Sequence, residues 1–435
     1  MSLIEHIKNT VALRYPTKQG THQLKKSRNV GIRIQGGRWG IFNNTTAQTF
    51  QLTATAAQHF DAVRIIFGET SSTISDYVAK AKVSVMANTS DLNNNSGTWV
   101  DVTTNGQTAW PLALAQVATA NRVTYTVSDE IKISSVARDD GGAFPLIVIR
   151  AFYAANSNFP VIGNGSNDAY ANWATKSDGR IWAMRYVAGD QVATTNTWNG
   201  TSGDTTNRDQ CPIVGFIYLA RGKVISVMGV GDSIVDGFGA TYKGENYIMK
   251  ATSALSSQTG VAVEYANCGW SGQSSAGKYG FMERACDILE SEIRPDILMF
   301  ECGSLNDTTG GNAVTTAIRN QWRADSQRVM RKCDEVGTIG VGLTVMPCAY
   351  SVHPLGATPN NTDNLRIAHN TDLLAWAATG VEIVDVATVV NGSVEANGQM
   401  EMNGSYTADL VHPNDAGNTA VAAVIQPVIQ RLAGL

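Results

Sequence analysis

The stretch "VISVMGVGDSIVDGFG", from Val224 to Gly239, changes character at its middle. Its first eight residues are apolar and rich in β-branched side chains, the pattern of a strand buried on both faces. It then breaks into Gly231-Asp232-Ser233, a small polar elbow that ends the strand with a hydroxyl at its tip. Gly and Asp form turns for backbone reasons alone, so an isolated Gly-Asp-Ser is most often only a turn. What the rest of the chain places beside that hydroxyl decides between the two readings.

Downstream of the elbow, apolar and amphipathic segments alternate. "VAVEYANCG", "DILMFECG", "TIGVGLTVMP" and "VEIVDVATVV" read as four further buried strands. Between and after them, helical patterns are predicted near Tyr247–Leu255, Phe281–Glu290, Ala313–Cys333 and Asn364–Ala378, with a final helix from about Asn414. Five apolar strands separated by helices predict a five-stranded parallel sheet in a three-layer α/β/α unit covering residues 224–435. In such a sheet the reactive groups lie on loops at the carboxyl ends of the strands.

Upstream, residues 1–223 have another rhythm. Short β-type segments such as "DAVRIIFGE", "AKVSVMAN", "TWVDVTT", "RVTYTVSD", "FPLIVIRAFY" and "PIVGFIYLA" are separated by polar turn clusters such as "SDLNNNSG". This predicts an all-β, sandwich-like domain built from antiparallel strands. Residues 154–210, with Trp173, Trp182 and Trp198, read as extended loops or additional strands. The expected division is therefore a β-rich unit over 1–223, suited to glycan binding or oligomerisation, and an α/β unit over 224–435.

Charge excludes some functions. The net charge of −4 gives no reason to expect nucleic acid or a membrane as partner. Basic residues outnumber acidic ones 21 to 15 in residues 1–223 and are outnumbered 12 to 22 afterwards. Lys8, Arg14, Lys18, Lys25, Lys26, Arg28, Arg33 and Arg38 crowd the start, which reads as a solvated or partner-docking segment. The opening "MSLIEHIKNTVALRYP" lacks the apolar core of a signal peptide, so the chain as written is expected in the cytoplasm or on a virion, or outside the cell if a leader has been removed. No apolar run approaches the ~20 residues that span a bilayer. The six cysteines form no C-x-x-C pair, and five fall in the second half, several inside apolar runs, as buried thiols do.

Four polar clusters fall after the predicted strands. Ser233 follows the first in "GDSIVDG", Gly272 the second in "NCGWSGQSS", Asn306 the third in "ECGSLNDTTG", and Asp409 with His412 the fifth in "DLVHPND". Each alone reads as a turn, cap or surface group. Together they supply a nucleophile, a base, a carboxylate to orient the base, and donors for an oxyanion. A serine hydroxyl is a poor nucleophile at neutral pH unless a base accepts its proton, and an imidazole titrating near ~6.5 suits that task. No metal and no cofactor is expected, since His353 and His369 have no ligand spacing around them and read as surface or loop residues.

In these residues the chain, over 224–435, resembles the SGNH-type (GDSL-like) esterases. "GDSIVDG" is similar to their first block, with Ser233 in the nucleophile's place and Gly237 matching the trailing glycine. Gly272 resembles the second-block glycine whose N–H serves the oxyanion hole, and Asn306 the third-block asparagine whose amide does the same. "DLVH" matches the fifth block, with Asp409 and His412 completing a triad. The resemblance implies a flavodoxin-like α/β/α fold and an oxyanion hole formed by Ser233, Gly272 and Asn306. Ile234 replaces the leucine of the motif, and two residues rather than one separate Gly303 from Asn306. Trp270 and Gln273 flank Gly272 and are expected to line the substrate pocket, while Asp236 and Asp307 read as acceptors that fix loops.

The resemblance implies O-acetyl esterases of carbohydrates, lipases and thioesterases as relatives. With no long apolar lid in sight, the expected substrate is an O-acetylated poly- or oligosaccharide. A short-chain esterase on small soluble esters is the alternative, and a phage structural or glycan-binding protein with a vestigial esterase half is a third. An oligomer formed through the first half remains open.

Overall fold

The computed structural model describes residues 29–34, 38–44, 47–70, 77–89, 97–111, 123–155, 157–163, 174–175, 179–192, 212–242, 245–277, 280–308, 314–347, 362–394 and 400–435. The basic segment before residue 29, Trp173, Trp198, Cys211, Cys348 and His353 lie outside them.

The first half builds two main antiparallel sheets. Strands β1 (Val30–Ile34), β2 (Gln48–Thr55), β3 (Phe60–Thr70), β4 (Tyr77–Met86), β5 (Val123–Val127), β6 (Leu146–Tyr153), β7 (Ile181–Ala188) and β8 (Ile213–Ala220) carry most of them. One sheet has the order β1-β8-β3-β5, with Ile131–Lys132 also paired to β3. The other runs Ala174–Thr175, β7, β2, β6, β4 and Val100–Asp101, with Trp110–Pro111 also on β4. Their facing side chains form one core, with Phe50, Leu52, Ile147, Ile149 and Trp182 from one sheet against Val63, Ile65, Phe67, Phe216 and Tyr218 from the other. This is the sandwich that the alternating pattern predicts. The region after residue 154 adds Ser157–Gly163, which pairs with Arg38–Asn44, as well as β7.

From β9 (Val224–Gly231) the chain switches to strand-helix alternation. Strands β10 (Ala262–Gly269), β11 (Ile297–Glu301), β12 (Ile339–Leu343) and β13 (Ile383–Val384) join β9 in the order β10-β9-β11-β12-β13, and every pairing is parallel. The helices are α1 (Ser233–Asp236), α2 (Tyr247–Thr259), α3 (Phe281–Glu290), α4 (Thr316–Val336), α5 (Thr362–Ala377), a short α6 (Ala387–Val390) and α7 (Asp415–Ala433). Alternate residues of β9 serve opposite faces. Ile225 and Val227 pack with α2 and α7, while Met228 and Val230 pack with α3 and α4. The second half is thus the three-layer α/β/α fold, and the first half is mostly β.

The two halves share apolar contacts. Ile32 and Ile34 of β1, Ile66 of β3, and Val214 and Ile217 of β8 lie in the same cluster as Met228, Ala266, Phe281 and Met282. The outer face of one antiparallel sheet therefore covers the edge of the parallel sheet at β10. A buried ionic knot lies at the junction. Glu264 on β10 meets Arg33 at 3.5 Å and Arg180 at 3.2 Å, and accepts from the Tyr218 hydroxyl at 2.8 Å and the Ala57 N–H at 2.7 Å.

Candidate active site

Ser233 is the first residue of α1, directly after β9. Asp232 caps that turn, its side chain accepting the Ile234 N–H at 2.9 Å. The cap holds the hydroxyl out at the carboxyl end of the sheet rather than letting the strand continue. Across from it, the Ser233 Oγ lies 2.8 Å from the His412 Nε2, and the His412 Nδ1 lies 2.6 Å from the Asp409 Oδ2. The second oxygen of Asp409 accepts the N–H groups of Val411 at 2.9 Å and His412 at 2.8 Å. Partial burial would raise the Asp409 pKa, but the hydrogen bonds from the His412 side chain and the two N–H groups outweigh it and hold the carboxyl below its ordinary value. The His412 ring packs on Phe238 at 4.5 Å and its side chain is 16% exposed.

These groups open onto a cavity of about 290 Å³. Its polar side is formed by Asp232, Ser233, Ser271, Gly272, Glu301, Ser304, Asn306 and His412. Its apolar side is formed by Ile234, Phe238, Leu305, Val345, Met346 and Val411. Gly272 has φ 78°, a left-handed conformation that glycine adopts without strain and that turns the loop after β10 toward the cavity. Ser271 anchors that loop by donating to Asp236 at 2.5 Å. Asp307 ties it to the loop after β11, accepting from the Ser275 hydroxyl, the Ala276 N–H at 3.2 Å and the Trp322 indole at 2.6 Å. Asp236 and Asp307 both act as the loop-fixing acceptors that the sequence suggests.

The extra residue before Asn306 is taken up in a 3₁₀ turn, Leu305–Asp307, capped by Ser304. The Asn306 amide reaches the cavity and donates to the Gln273 carbonyl at 3.1 Å and to Asp232 at 3.3 Å. The same Asp232 oxygen accepts from the Ser304 hydroxyl at 2.5 Å.

Two expectations for the pocket are corrected. Trp270 does not line the cavity; its ring is buried and lies 5.3 Å from the Arg284 guanidinium of α3. Gln273 contributes its carbonyl to Asn306, but its side chain is turned inward and is almost wholly buried. Sequence reasoning missed Glu301 and the apolar wall. The signal for Glu301 was a charged residue ending the apolar strand "ILMFE", where burial of a carboxyl needs a reason. Among the described residues, no group of three His, Cys, Asp or Glu side chains could hold a metal ion, and no helix is long and apolar enough to cross a membrane.

Residues 230–420 match the model of the GDSL-like lipase/acylhydrolase family. The second half therefore carries a GDSL-like lipase/acylhydrolase domain, a hydrolase acting on esters. No curated protein matches the chain. Among solved structures, a GDSL-like lipase from Bacteroides thetaiotaomicron is similar at 19% identity and a TM-score of 0.35, covering 47% of this chain and 88% of its own. The lipase/acylhydrolase from Enterococcus faecalis is similar at 17% identity, with a TM-score of 0.35 and coverage of 47% and 95%. An aryl esterase from M. smegmatis is similar at 16% identity, with a TM-score of 0.35 and coverage of 48% and 99%.

Proposed function

We propose that the chain is a serine esterase that removes small acyl groups, most specifically O-acetyl groups on a carbohydrate, through Ser233, His412 and Asp409. The observation that carries this reading is the relay Ser233–His412–Asp409, at 2.8 and 2.6 Å, on the rim of a cavity of about 290 Å³. As Ser233 Oγ attacks the ester carbonyl, its proton passes to His412 Nε2. Asp409 keeps the other ring proton on Nδ1 and stabilises the imidazolium that forms. The tetrahedral oxyanion is held by N–H groups of Ser233 and Gly272 and by the Asn306 amide. His412 then protonates the departing alcohol, and water, activated by the same imidazole, hydrolyses the acyl-enzyme.

The small cavity supports a short acyl group. Ile234, Phe238, Val345, Met346 and Val411 give it an apolar side that suits a methyl group, and the rest of the ester must lie outside. A β-sandwich joined to the hydrolase supports a polymeric carbohydrate as the alcohol part. Specificity, kcat/KM, is expected to fall steadily from p-nitrophenyl acetate through butyrate to octanoate, with acetate released from an O-acetylated polysaccharide. A preference for octanoate overturns the small-acyl reading. Turnover of p-nitrophenyl acetate with no release from the polysaccharide favours an esterase of small soluble esters.

A further inference from the structure

The triad leaves one pair of buried groups unused. Asp232 and Glu301 are both buried and both line the cavity. The Asp232 N–H donates to Glu301 Oε2 at 2.8 Å. Gly231 permits this approach, because a Cβ there would overlap the Glu301 carboxyl. Two carboxyl groups brought this close and away from water disfavour double ionisation, so the pair favours holding one proton between them.

Hydrogen bonding decides where that proton sits. Asp232 accepts from the Ile234 N–H at 2.9 Å, the Ser304 hydroxyl at 2.5 Å and the Asn306 amide at 3.3 Å, whereas Glu301 accepts from one N–H, that of Asp232. Three donors favour the anion at Asp232 and leave the neutral acid at Glu301. Burial, followed by the charge of Asp232, pushes the Glu301 carboxyl well above its ordinary value, in the same sense.

We propose that Glu301 is a positioning residue for the oxyanion side of the site: as a neutral acid it donates to the Asp232 carboxylate, which in turn holds Ser304 and Asn306. This rests on the reading of Ser233 as the nucleophile. The single negative charge on Asp232 suits the imidazolium that forms on His412. A second charge on Glu301 would oppose the oxyanion and release the Asp232 side chain from its place. The other titratable groups facing the pair do not compete for this role. Burial raises the Tyr247 phenol on α2 far above its ordinary value and pushes the Cys302 thiol beside Glu301 to about 12.

Glutamine reproduces the neutral acid, with a carbonyl to accept the Asp232 N–H and an amide N–H to donate to its carboxylate. Leucine does neither. The test measures kcat and KM for p-nitrophenyl acetate against pH in the parent, Glu301→Gln and Glu301→Leu, with infrared spectra of the parent, Glu301→Gln and Ser233→Ala. Glu301→Leu is expected to lower kcat by roughly 10²-fold with little change in KM, the mark of a group acting in the transition state. The parent is expected to lose kcat at alkaline pH as Glu301 ionises, and Glu301→Gln is expected to recover to within about tenfold of the parent and to lack that loss. The infrared band of a neutral carboxyl should be present near pH 7 in the parent and Ser233→Ala and absent from Glu301→Gln. A missing band, a Gln variant no better than Leu, or a Gln pH profile that superimposes on the parent's would overturn the proposal. Undiminished hydrolysis by Ser233→Ala would instead sink the nucleophile reading, and the band would still report on the shared proton.

Discussion

Leu410 holds a backbone φ of 64° although it is not glycine, a conformation that costs on the order of 1 kcal/mol and persists only where its surroundings impose it. The surroundings here are the two N–H groups, of Val411 and His412, that close on Asp409. The strained turn aims the carboxylate and the imidazole at each other from positions three residues apart. Asn306 is the complementary case, a donor already engaged by Gln273 and Asp232 in the resting site. In the proposed mechanism these two acceptors hold the amide in place and the oxyanion shares its N–H groups. Asn306→Ala is therefore expected to lower kcat by roughly 10²–10³-fold with KM little changed. Steady-state kinetics check this, and a nearly silent substitution would hand the role to backbone N–H groups. Ser233, Gly272 and Asn306 were legible because each follows a strand of the parallel sheet, and the fold gathers strand ends. His412, separated from the last strand by α6 and the hairpin Asn391–Val394 with Met400–Met402, was legible from its spacing to Asp409. The Asp232–Glu301 contact was not legible, because it depends on burial and on a partner 69 residues away. Trp270 misled because adjacency to Gly272 along the chain says nothing of which way a ring turns.

At the scale of elements, caps explain where sequence reading slipped. The long helix expected over 313–333 runs over Thr316–Val336, because Thr315 caps it through the Ile318 N–H and Gly337 ends it. "VEIVDVATVV" supplies only a two-residue strand, Ile383–Val384, before turning into α6, since an apolar run of that length suits either state and Asp385 captures the Thr388 N–H. "TWVDVTT" likewise supplies only a two-residue strand, Val100–Asp101, and an isolated bridge from Thr104 to Gln107. His369 is not the surface or loop residue its sequence surroundings suggest but is fully buried on α5, which it fastens: its Nε2–H donates to the Cys302 carbonyl at 2.9 Å and its ring meets Trp322 edge-on at 5.3 Å. Burial lowers its pKa from 6.5 to about 4. The folded state thus favours the neutral ring, so this contribution to stability is complete above pH 6.5 and drains away as pH falls toward 4. The shift corresponds to about 3 kcal/mol. Denaturation midpoints measured at intervals from pH 7 to 4 should fall more steeply for the parent than for His369→Gln, which keeps the donor and cannot titrate. Equal slopes would contradict this role.

Across the whole molecule, the Glu264 knot and the shared apolar cluster bind the sandwich to the edge of the parallel sheet. The rhythm change at Val224 was readable because strand periodicity is local. The covering of β10 by β1 was not, since nothing in "VGIRI" distinguishes an outer face that meets solvent from one that meets another sheet. This seating leaves the carboxyl ends of β9, β10 and β11 to form the cavity, and the account of its chemistry turns on one hydroxyl. The most direct test is kcat/KM for p-nitrophenyl acetate in Ser233→Ala, with circular dichroism confirming an unchanged fold. A fall of roughly 10³-fold or more is expected. Activity within about tenfold of the parent in a clean preparation would contradict Ser233 as the nucleophile.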